Sequence, residues 1–352
     1  MRTIEWDDGI VKTIDQTLLP HKTVILDLKT AEDVAEAIRN MRIRGAPLLG
    51  ASAAFALALT ACHSKAKNKK ELVAKLESAA ELIRKTRPTA VNLFWALDRV
   101  LDKTKRFSGD DKDAAVFVVD EAQKIADEDV AANRSMGKYG ARLIRTGDTI
   151  LTHCNAGALA TVDYGTALGV IRAAWEQGKK IKVVATETRP KLQGARLTAY
   201  ELKRNGIPVT LITDDMVGYV MSKRLVDKVL VGADRIVQDA VFNKIGTFTI
   251  AVLAKEHGIP FYVAAPSSTF DLIHKAADVV IEERSPEEVT HIDSQRIAPE
   301  GINALNPAFD ATSLKYVTAI ICERGILYKE DFRNFKRKNN KKRIPSLIGL
   351  RK

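Results

Sequence analysis

The spacing of apolar residues changes near the middle of the chain. Between about residue 30 and residue 130, apolar positions recur every three to four residues, as in EDVAEAIRNM, ELVAKLESAAELIRKT and VNLFWALDRVLDK. This period predicts amphipathic helices. From about residue 145, short runs rich in β-branched residues alternate with helix-sized segments. Strands that alternate with helices predict a parallel sheet with right-handed crossovers.

Six apolar runs in the second half are predicted strands, and TVILDL at residues 23–28 predicts a strand of a small N-terminal sheet. The six runs are Thr149–His153, Ile181–Thr186, Pro208–Thr213, Lys228–Gly232, Pro260–Ala265 and Asp278–Ile281. The expected fold class is therefore α/β. It has a mainly helical N-terminal domain at residues 1–130, a doubly wound Rossmann-like domain at 131–330 and a basic tail at 331–352.

Local signals predict where two helices begin and where the protein resides. Thr30, with Asp33 three residues later, predicts an N-terminal cap, and Pro47 predicts the first helical position of the alanine-rich run Ala46–Cys62.

The run Ala46–Cys62 has 17 residues and is too short and too mildly apolar to cross a bilayer, which takes about 20. The N-terminus lacks the apolar stretch of a secretory signal, and three cysteines suggest no disulfide framework. We expect a cytoplasmic protein with no membrane partner.

The net charge of +11 is concentrated at one end of the chain. Residues 331–352 hold nine Lys and Arg against one Asp, which leaves only +3 on residues 1–330. A basic terminus can contact nucleic acid or anionic surfaces, but a solvated charged tail is the more common interpretation. The body of the protein therefore gives no reason to expect a nucleic-acid partner.

Polar residues follow the predicted strands at their carboxyl ends, where open parallel sheets bind ligands. They are His153, Cys154, Asn155, Glu187, Asp214, Asp215, Asp234 and the run Pro266 to Thr269. Cys154 lies at a predicted strand end and helix start, where the helix dipole favours a thiolate; an inert buried thiol is the alternative. A desolvated Asp234 has a raised pKa and suits a proton donor; an ion pair with Arg235 or a helix cap is the alternative.

The motif search narrows the chemistry to a small phosphorylated molecule. The patterns G-x-G-x-x-G, G-x-x-x-x-G-K-[ST] and G-x-S-x-G do not occur, and the six histidines have no metal-site spacing. These absences argue against a dinucleotide-binding fingerprint, a P-loop, a serine hydrolase and a metal site. The turn CNAGALAT, which is predicted to open a helix, offers backbone N–H groups to an anion.

Eight segments, in this order along the chain, resemble the methylthioribose-1-phosphate isomerase family. They are IRGAP (43–47), RPTAVNLFWALDR (87–99), THCNAGALAT (152–161), ETRPKLQGARLTA (187–199), GADRI (232–236), NKIGT (243–247), FYVAAP (261–266) and NPAFD (306–310). The resemblance runs from about Ile43 to Leu327, and so many ordered segments are far more specific than any one of them.

The resemblance implies a cofactor-independent aldose–ketose isomerase that acts on 5-methylthioribose 1-phosphate in methionine salvage, as a homodimer. It implies that Cys154 is the catalytic thiol and Asp234 the proton donor. The substrate contacts that it implies are Arg44, Gly45, Ala46, Arg87, Gln193, Asn243 and Lys244. The cations in this set suit a phosphate, and the helix start at Gly45 offers N–H donors.

Phosphate on the anomeric oxygen blocks simple ring opening, so an acid must help the ring oxygen leave before hydrogen moves from C2 to C1. We expect Asp234, kept protonated by desolvation, to donate to the ring oxygen. We expect Cys154 to assist proton transfer at C2 through an enol-like intermediate. A direct hydride shift is the alternative route.

Two other functions fit part of the pattern. One is an isomerase of 5-deoxyribose 1-phosphate or ribose 1,5-bisphosphate, and the other is a non-catalytic subunit like those of initiation factor 2B. A methylthio group needs an apolar pocket, to which Phe94 and Trp95 could contribute, although core packing also explains these two. The segment RIVQDAVF, between Asp234 and Asn243, is one residue shorter than the family pattern and lacks its Asn-Gly-Asp turn.

Overall fold

The computed structural model describes residues 2–335, which form two compact units. The first unit consists of residues 2–133 and Gly157–Gly165. The second consists of Arg134–Ala156 and the described residues from Thr166 onward. Most of the predicted basic tail, from residue 336, lies outside the described residues.

The first unit packs helices against a small antiparallel sheet. The strands β1 (Ile4–Asp7), β2 (Ile10–Ile14) and β3 (Ile25–Leu28) pair in that order, which confirms the strand predicted at residues 23–28. The helices are α1 (Ala31–Arg39), α2 (Ala46–Cys62), α3 (Lys69–Arg84), α4 (Val91–Arg106) and α5 (Ala114–Ala141), whose last turns belong to the second unit.

Two helices of this unit show how the sequence determines their ends and their burial. The hydroxyl of Thr30 accepts the N–H of Asp33, whose carboxylate accepts the N–H of Thr30, so the predicted cap of α1 is a capping box. Helix α2 is buried on all sides, as expected of a helix that is apolar on every face. It begins at Ala46, so Pro47 occupies the second helical position and not the predicted first.

The second unit contains the remaining strands and helices. Its strands are β4 (Thr149–Thr152), β5 (Lys182–Thr186), β6 (Val209–Ile212), β7 (Lys228–Val231), β8 (Arg235–Ile236), β9 (Ala240–Lys244), β10 (Phe261–Ala264), β11 (His291–Ile292), β12 (Gln295–Arg296), β13 (Phe309–Ser313), β14 (Ala319–Cys322) and β15 (Gly325–Tyr328). Its helices are α6 (Ala167–Glu176), α7 (Ala199–Arg204), α8 (Val217–Ser222), α9 (Thr247–Glu256), α10 (Glu287–Thr290) and α11 (Lys329–Phe335).

Seven strands form the main sheet of the second unit, in the order β15-β14-β10-β7-β4-β5-β6. All neighbouring pairs are parallel except β14 with β15. Strands β10 and β14 are buried at every residue, as expected of parallel strands covered on both faces. The predicted doubly wound sheet is confirmed.

Five of the six strands predicted for the main sheet are present, with ends shifted by one residue at most. The sixth prediction, a strand at Asp278–Ile281, is wrong. Val280 is 80% exposed, whereas the residues of a central parallel strand have to be buried. The apolar run there has only three residues between Asp278 and Glu282. The sixth parallel position is taken by β14, whose four residues are all buried.

Within residues 2–335, no helix is both long enough and apolar enough to span a bilayer.

Candidate active site

The strand order of the main sheet reverses between β4 and β7. Along the chain β4 is followed by β5 on one side, whereas β7 is followed by β10 on the other. In doubly wound sheets, ligands bind in the crevice outside the carboxyl ends of such a pair. Cys154 lies two residues beyond β4, and Asp234 lies three residues beyond β7. Both candidate groups therefore follow neighbouring strands at the same edge of the sheet.

Gly232 allows the chain segments after β4 and β7 to approach closely. A Cβ atom at Gly232 would lie 2.7 Å from the Cβ of Ala156 and 3.5 Å from the hydroxyl oxygen of Thr166. Only glycine fits a backbone approach of this kind. The segment that carries Asp234 therefore packs directly against the segment that carries Cys154.

Cys154 is half-buried and has a left-handed backbone conformation, with φ of +63°. Its N–H donates to the hydroxyl of Thr188 at 2.9 Å, and its C=O accepts from the hydroxyl of Thr198 at 2.6 Å. For a non-glycine residue this conformation costs about 1 to 2 kcal/mol, so it persists only where the surroundings enforce it. Strain of this kind is typical of functional positions, and here it determines how the thiol is presented beyond β4.

The predicted helix directly after Cys154 is wrong. The next long helix, α6, begins at Ala167, and Tyr164 and Gly165 before it both have positive φ, which a right-handed helix cannot accommodate. Residues Gly157–Gly165 instead form turns of the first unit. The segment CNAGALAT therefore does not open a long helix, although Thr166, the residue before α6, donates its N–H to the C=O of Ala156 at 3.0 Å.

His153 links three segments at the carboxyl edge of the sheet. Its Nε2 lies 2.8 Å from the carbonyl oxygen of Ile245, and its Nδ1 lies 2.6 Å from the hydroxyl of Thr186. A carbonyl oxygen only accepts, so Nε2 carries the proton and Nδ1 accepts the Thr186 hydroxyl. Burial lowers the pKa of His153, which keeps the ring neutral at pH 7. The ring thus connects β4, β5 and the turn after β9.

Asp234 begins a hairpin of β8 and β9. Its N–H donates to the C=O of Phe242 at 2.9 Å. Arg235 lies opposite the same residue in the register of the two strands, so the backbone of Asp234 lies beside Phe242, the residue before Asn243. The short segment between the two strands closes as a turn at residues 237–239. Asp234 therefore bonds to the residue next to Asn243 at the open end of this hairpin.

The helix-cap interpretation of Asp234 is wrong, because the residue precedes a strand and not a helix. The guanidinium of Arg235 bonds to the carboxylate of Asp271, with Nε 2.9 Å from Oδ2. Asp234 itself is half-buried. The proton-donor role of Asp234 stays a prediction.

Asn243 lies opposite Asp310, its register partner on the neighbouring strand β13. Residues directly opposite one another in antiparallel strands share one face of the sheet. The buried amide of Asn243 donates to the hydroxyl of Thr247 at 3.0 Å, and the carboxylate of Asp310 accepts the N–H of Gly246 at 2.7 Å. Burial raises the pKa of Asp310 to about 6.

Gln193 and Lys244 are buried polar residues of the second unit. Nζ of Lys244 donates to the C=O of Ala308 at 2.8 Å and lies 4.8 Å from the centre of the Phe309 ring. Gln193 is 5% exposed, and its Oε1 has no hydrogen-bond partner within the described part of the chain. A buried amide oxygen left in this state costs about 1 to 3 kcal/mol, which a ligand hydroxyl would recover.

The predicted contacts at Arg44, Gly45 and Ala46 lie at the start of α2 in the first unit. Arg44 is buried, and Gly45 has φ of +104° directly before the first helical residue. A Cβ atom at Gly45 would lie 2.5 Å from the Cα of Ala160, so the turn Gly157–Gly165 packs against the start of this helix and requires glycine there.

Arg87 lies in the loop between α3 and α4 and is half-buried, with Nη1 3.4 Å from the sulfur of Met41. Phe94 packs against the core of the first unit. Trp95 is 38% exposed, and the guanidinium of Arg99 lies 5.4 Å from its ring centre. The core-packing interpretation is therefore confirmed for Phe94 and wrong for Trp95.

The sequence model of the initiation factor 2 subunit family matches residues 42–329 of this chain. The chain belongs to this family. Within the family, the methylthioribose-1-phosphate isomerase of Acetivibrio thermocellus is 52% identical over 342 residues, which cover 96% of this chain and 99% of that one.

Solved structures of the family carry two kinds of description. The 5-methylthioribose 1-phosphate isomerase of Pyrococcus horikoshii matches with a TM-score of 0.89 and 48% identity, over 96% of this chain and 95% of its own. A structure described as translation initiation factor eIF-2B, subunit delta, from A. fulgidus matches with a TM-score of 0.84 and 53% identity, over 94% of this chain and 96% of its own.

Other strand-end residues of this family member support the backbone of the site. The amide of Asn155 donates to the carboxylate of Glu201 at 2.8 Å, and the carboxylate of Asp214 accepts the N–H of Thr188 at 2.8 Å. Ser267 donates its N–H to Glu323 at 2.9 Å. Across residues 2–335, no three His, Cys, Asp or Glu side chains are grouped to hold a metal ion.

Three residues beside the site were not predicted from the sequence, namely Thr188, Thr198 and Asp310. Thr188 and Thr198 hold the backbone of Cys154, and Asp310 shares a sheet face with Asn243. All three lie inside segments that carry the family resemblance. Their place in these segments was the available signal, because their hydrogen bonds join residues that lie 34, 44 and 62 to 64 positions apart along the chain.

Proposed function

We infer that this protein is an aldose–ketose isomerase that converts 5-methylthioribose 1-phosphate to 5-methylthioribulose 1-phosphate in methionine salvage. The relatives with this name match nearly the whole chain at about half identity. The observation that carries the inference is the placement of Cys154 and Asp234 after the two strands at the switch point, on segments that Gly232 brings together.

We propose that Asp234 is the acid and Cys154 the thiol of the reaction. Asp234 donates a proton to the ring oxygen, which opens the furanose. Cys154 assists proton transfer from C2 to C1 through an enol-like intermediate. Asn243, whose neighbour Phe242 accepts the N–H of Asp234, and Gln193, with its buried amide oxygen, supply hydrogen bonds to the sugar.

We propose substrate-binding roles for the cations and for the start of α2. The guanidinium groups of Arg44 and Arg87 and the ammonium of Lys244 suit a phosphate, and the backbone at Gly45 and Ala46 offers N–H donors.

A second candidate is a non-catalytic subunit of a translation initiation factor, which the description of the A. fulgidus structure favours. A binding subunit does not need a strained cysteine and a carboxyl at the switch point. An isomerase of another pentose 1-phosphate remains within the same chemistry and differs only in the group at C5.

Turnover of three sugar phosphates tests the function. The purified protein is incubated in deuterated water with 5-methylthioribose 1-phosphate, 5-deoxyribose 1-phosphate or ribose 1,5-bisphosphate, and product is followed by NMR. We expect the methylthio compound to have the highest kcat/KM and its product to contain solvent deuterium. Absence of turnover on all three would contradict an isomerase, and complete retention of the C2 hydrogen would exclude the enol route in favour of a hydride shift.

We further propose that the protein works in the cytoplasm as a homodimer, as the family resemblance implies. The expected mass in solution is then twice 38.7 kDa.

A further inference from the structure

Cys154 is bonded to a second residue that has the same unusual backbone conformation. Thr188, which follows β5 by two residues, has φ of +64°, and Cys154 has φ of +63°. Among the non-glycine residues with positive φ in the described chain, Thr188 alone is β-branched. A β-branched side chain makes this conformation a genuine outlier, so the surroundings have to enforce it.

The surroundings of Thr188 supply that constraint through Asp214, which follows β6. The carboxylate of Asp214 accepts the N–H of Thr188 at 2.8 Å and the N–H of Arg189 at 2.6 Å. Two bonds from one carboxylate fix the peptide unit on both sides of Thr188. The side chain of Thr188 is then held in one place, fully buried.

The hydroxyl of Thr188 is directed at the backbone of Cys154. Its Oγ1 accepts the N–H of Cys154 at 2.9 Å, and the same hydroxyl lies 3.3 Å from the C=O of Thr186, to which it donates. In a regular sheet, the N–H of Cys154 would donate to a backbone C=O of the neighbouring strand. Here it donates to the side-chain hydroxyl of Thr188 instead. The chain of contacts therefore runs from Asp214 to Thr188 to Cys154.

We propose that Thr188 is a positioning residue for the Cys154 thiol, which it holds in the left-handed conformation through the hydrogen bond from the Cys154 N–H. The proposal rests on the proposed function, in which Cys154 is the catalytic thiol. Thr188 does not contact the substrate in this role, so it acts on the rate of the chemical step and not on substrate affinity.

Substitutions that remove or keep the hydroxyl test the proposal. Thr188→Val keeps the shape and loses the acceptor, Thr188→Ala also removes the branching that strains the backbone, and Thr188→Ser keeps the acceptor. We expect Thr188→Val and Thr188→Ala to lower kcat by about 10- to 100-fold with KM nearly unchanged, because small misplacements of a reacting group have effects of this size. We expect Thr188→Ser to keep kcat within about threefold of wild type.

A matched control removes a buried threonine hydroxyl elsewhere. Thr104 is fully buried in α4 and donates to the C=O of Val100 at 2.8 Å, so Thr104→Val should leave kcat unchanged. Wild-type kcat in Thr188→Val and Thr188→Ala, or a Thr188→Ser variant as slow as they are, would overturn the proposal.

Alkylation of Cys154 separates this proposal from the proposed function. In a Cys62→Ser background, with Cys322 buried, iodoacetamide reports on Cys154. We expect Thr188→Val or Thr188→Ala to change the alkylation rate by at least about threefold, and Thr188→Ser to leave it unchanged. If wild type shows no isomerase turnover, the proposed function fails while this rate still decides the positioning role. An unchanged rate in the Val and Ala variants would overturn it.

Discussion

At the scale of single residues, Gly194 shows how tightly the end of β5 is packed. A Cβ atom at this position would lie 1.7 Å from the carbonyl oxygen of Thr186, the residue whose hydroxyl donates to His153. Because the obstacle is strand backbone, it cannot move aside as the end of a flexible side chain would. Glycine is therefore required where the backbone of residue 194 packs against the end of β5.

Gly194→Ala is expected to lower the free energy of unfolding by at least about 3 kcal/mol and to reduce turnover strongly. The control is Gly218→Ala in α8, where a Cβ atom would meet nothing closer than 3.9 Å. There the gain in helix propensity predicts a change between zero and about 1 kcal/mol of stabilisation. Urea unfolding of both variants measures the difference, and equal stability of the two would contradict the close packing at Gly194.

The two proposed catalytic residues could be selected from the sequence because each directly follows an apolar run that predicts a strand. Their supporting contacts could not. Thr188 and Thr198 reach Cys154 through loops in which positive φ angles decide the direction of the chain. Nothing local in a threonine predicts such an angle. The predicted helix after Cys154 failed for the same reason, at Tyr164 and Gly165.

At the scale of elements, α5 holds the turn Gly157–Gly165 through one carboxylate. Oδ2 of Asp129 accepts the N–H of Val162 at 2.8 Å and the amide of Asn133 at 3.0 Å. Burial raises the pKa of Asp129 to about 7, although these two bonds act in the opposite direction. A carboxyl whose pKa is higher in the folded than in the unfolded state stabilises the fold below about pH 4 and loses that contribution as the pH rises through about 7.

Asp129→Asn is therefore expected to flatten the decline in unfolding free energy between about pH 4 and pH 7, a decline of at most about 1.4 kcal/mol per pH unit for one proton. The variant should gain stability relative to wild type as the pH rises. Asp120→Asn, at an exposed position of the same helix, is the control and should leave the slope unchanged. Urea titrations across this range provide the measurement, and identical slopes for wild type and Asp129→Asn would argue against a buried proton at this site.

Helices and strands were predictable where apolar residues recur at a regular spacing and those residues are buried in the structure. The strand at Asp278–Ile281 was wrong because three apolar residues in a row occur on exposed segments too, as Val280 does. The strand that takes the sixth parallel position, β14 at Ala319–Cys322, was not predicted. It is buried where it pairs in parallel with β10, and the paired residues lie more than 50 positions apart in the sequence.

At the scale of the whole molecule, the order of the six parallel strands decides which residues can act together. Strands β4 and β7 flank the point of reversal in the described sheet, and both Cys154 and Asp234 follow these strands at the crevice. The inclusion of Gly157–Gly165 in the first unit depends on long-range bonds such as Val162 to Asp129 and could not be inferred from the sequence.

The kcat of Cys154→Ser and of Asp234→Asn on 5-methylthioribose 1-phosphate tests the central claim most directly. The account predicts that each substitution lowers kcat by about 100-fold or more, because each removes a proton-transfer group. The controls Cys62→Ser and Asp111→Asn, both at exposed positions of the first unit, should retain wild-type turnover. Wild-type kcat in either Cys154→Ser or Asp234→Asn would contradict a thiol and a carboxyl acting together at the switch point.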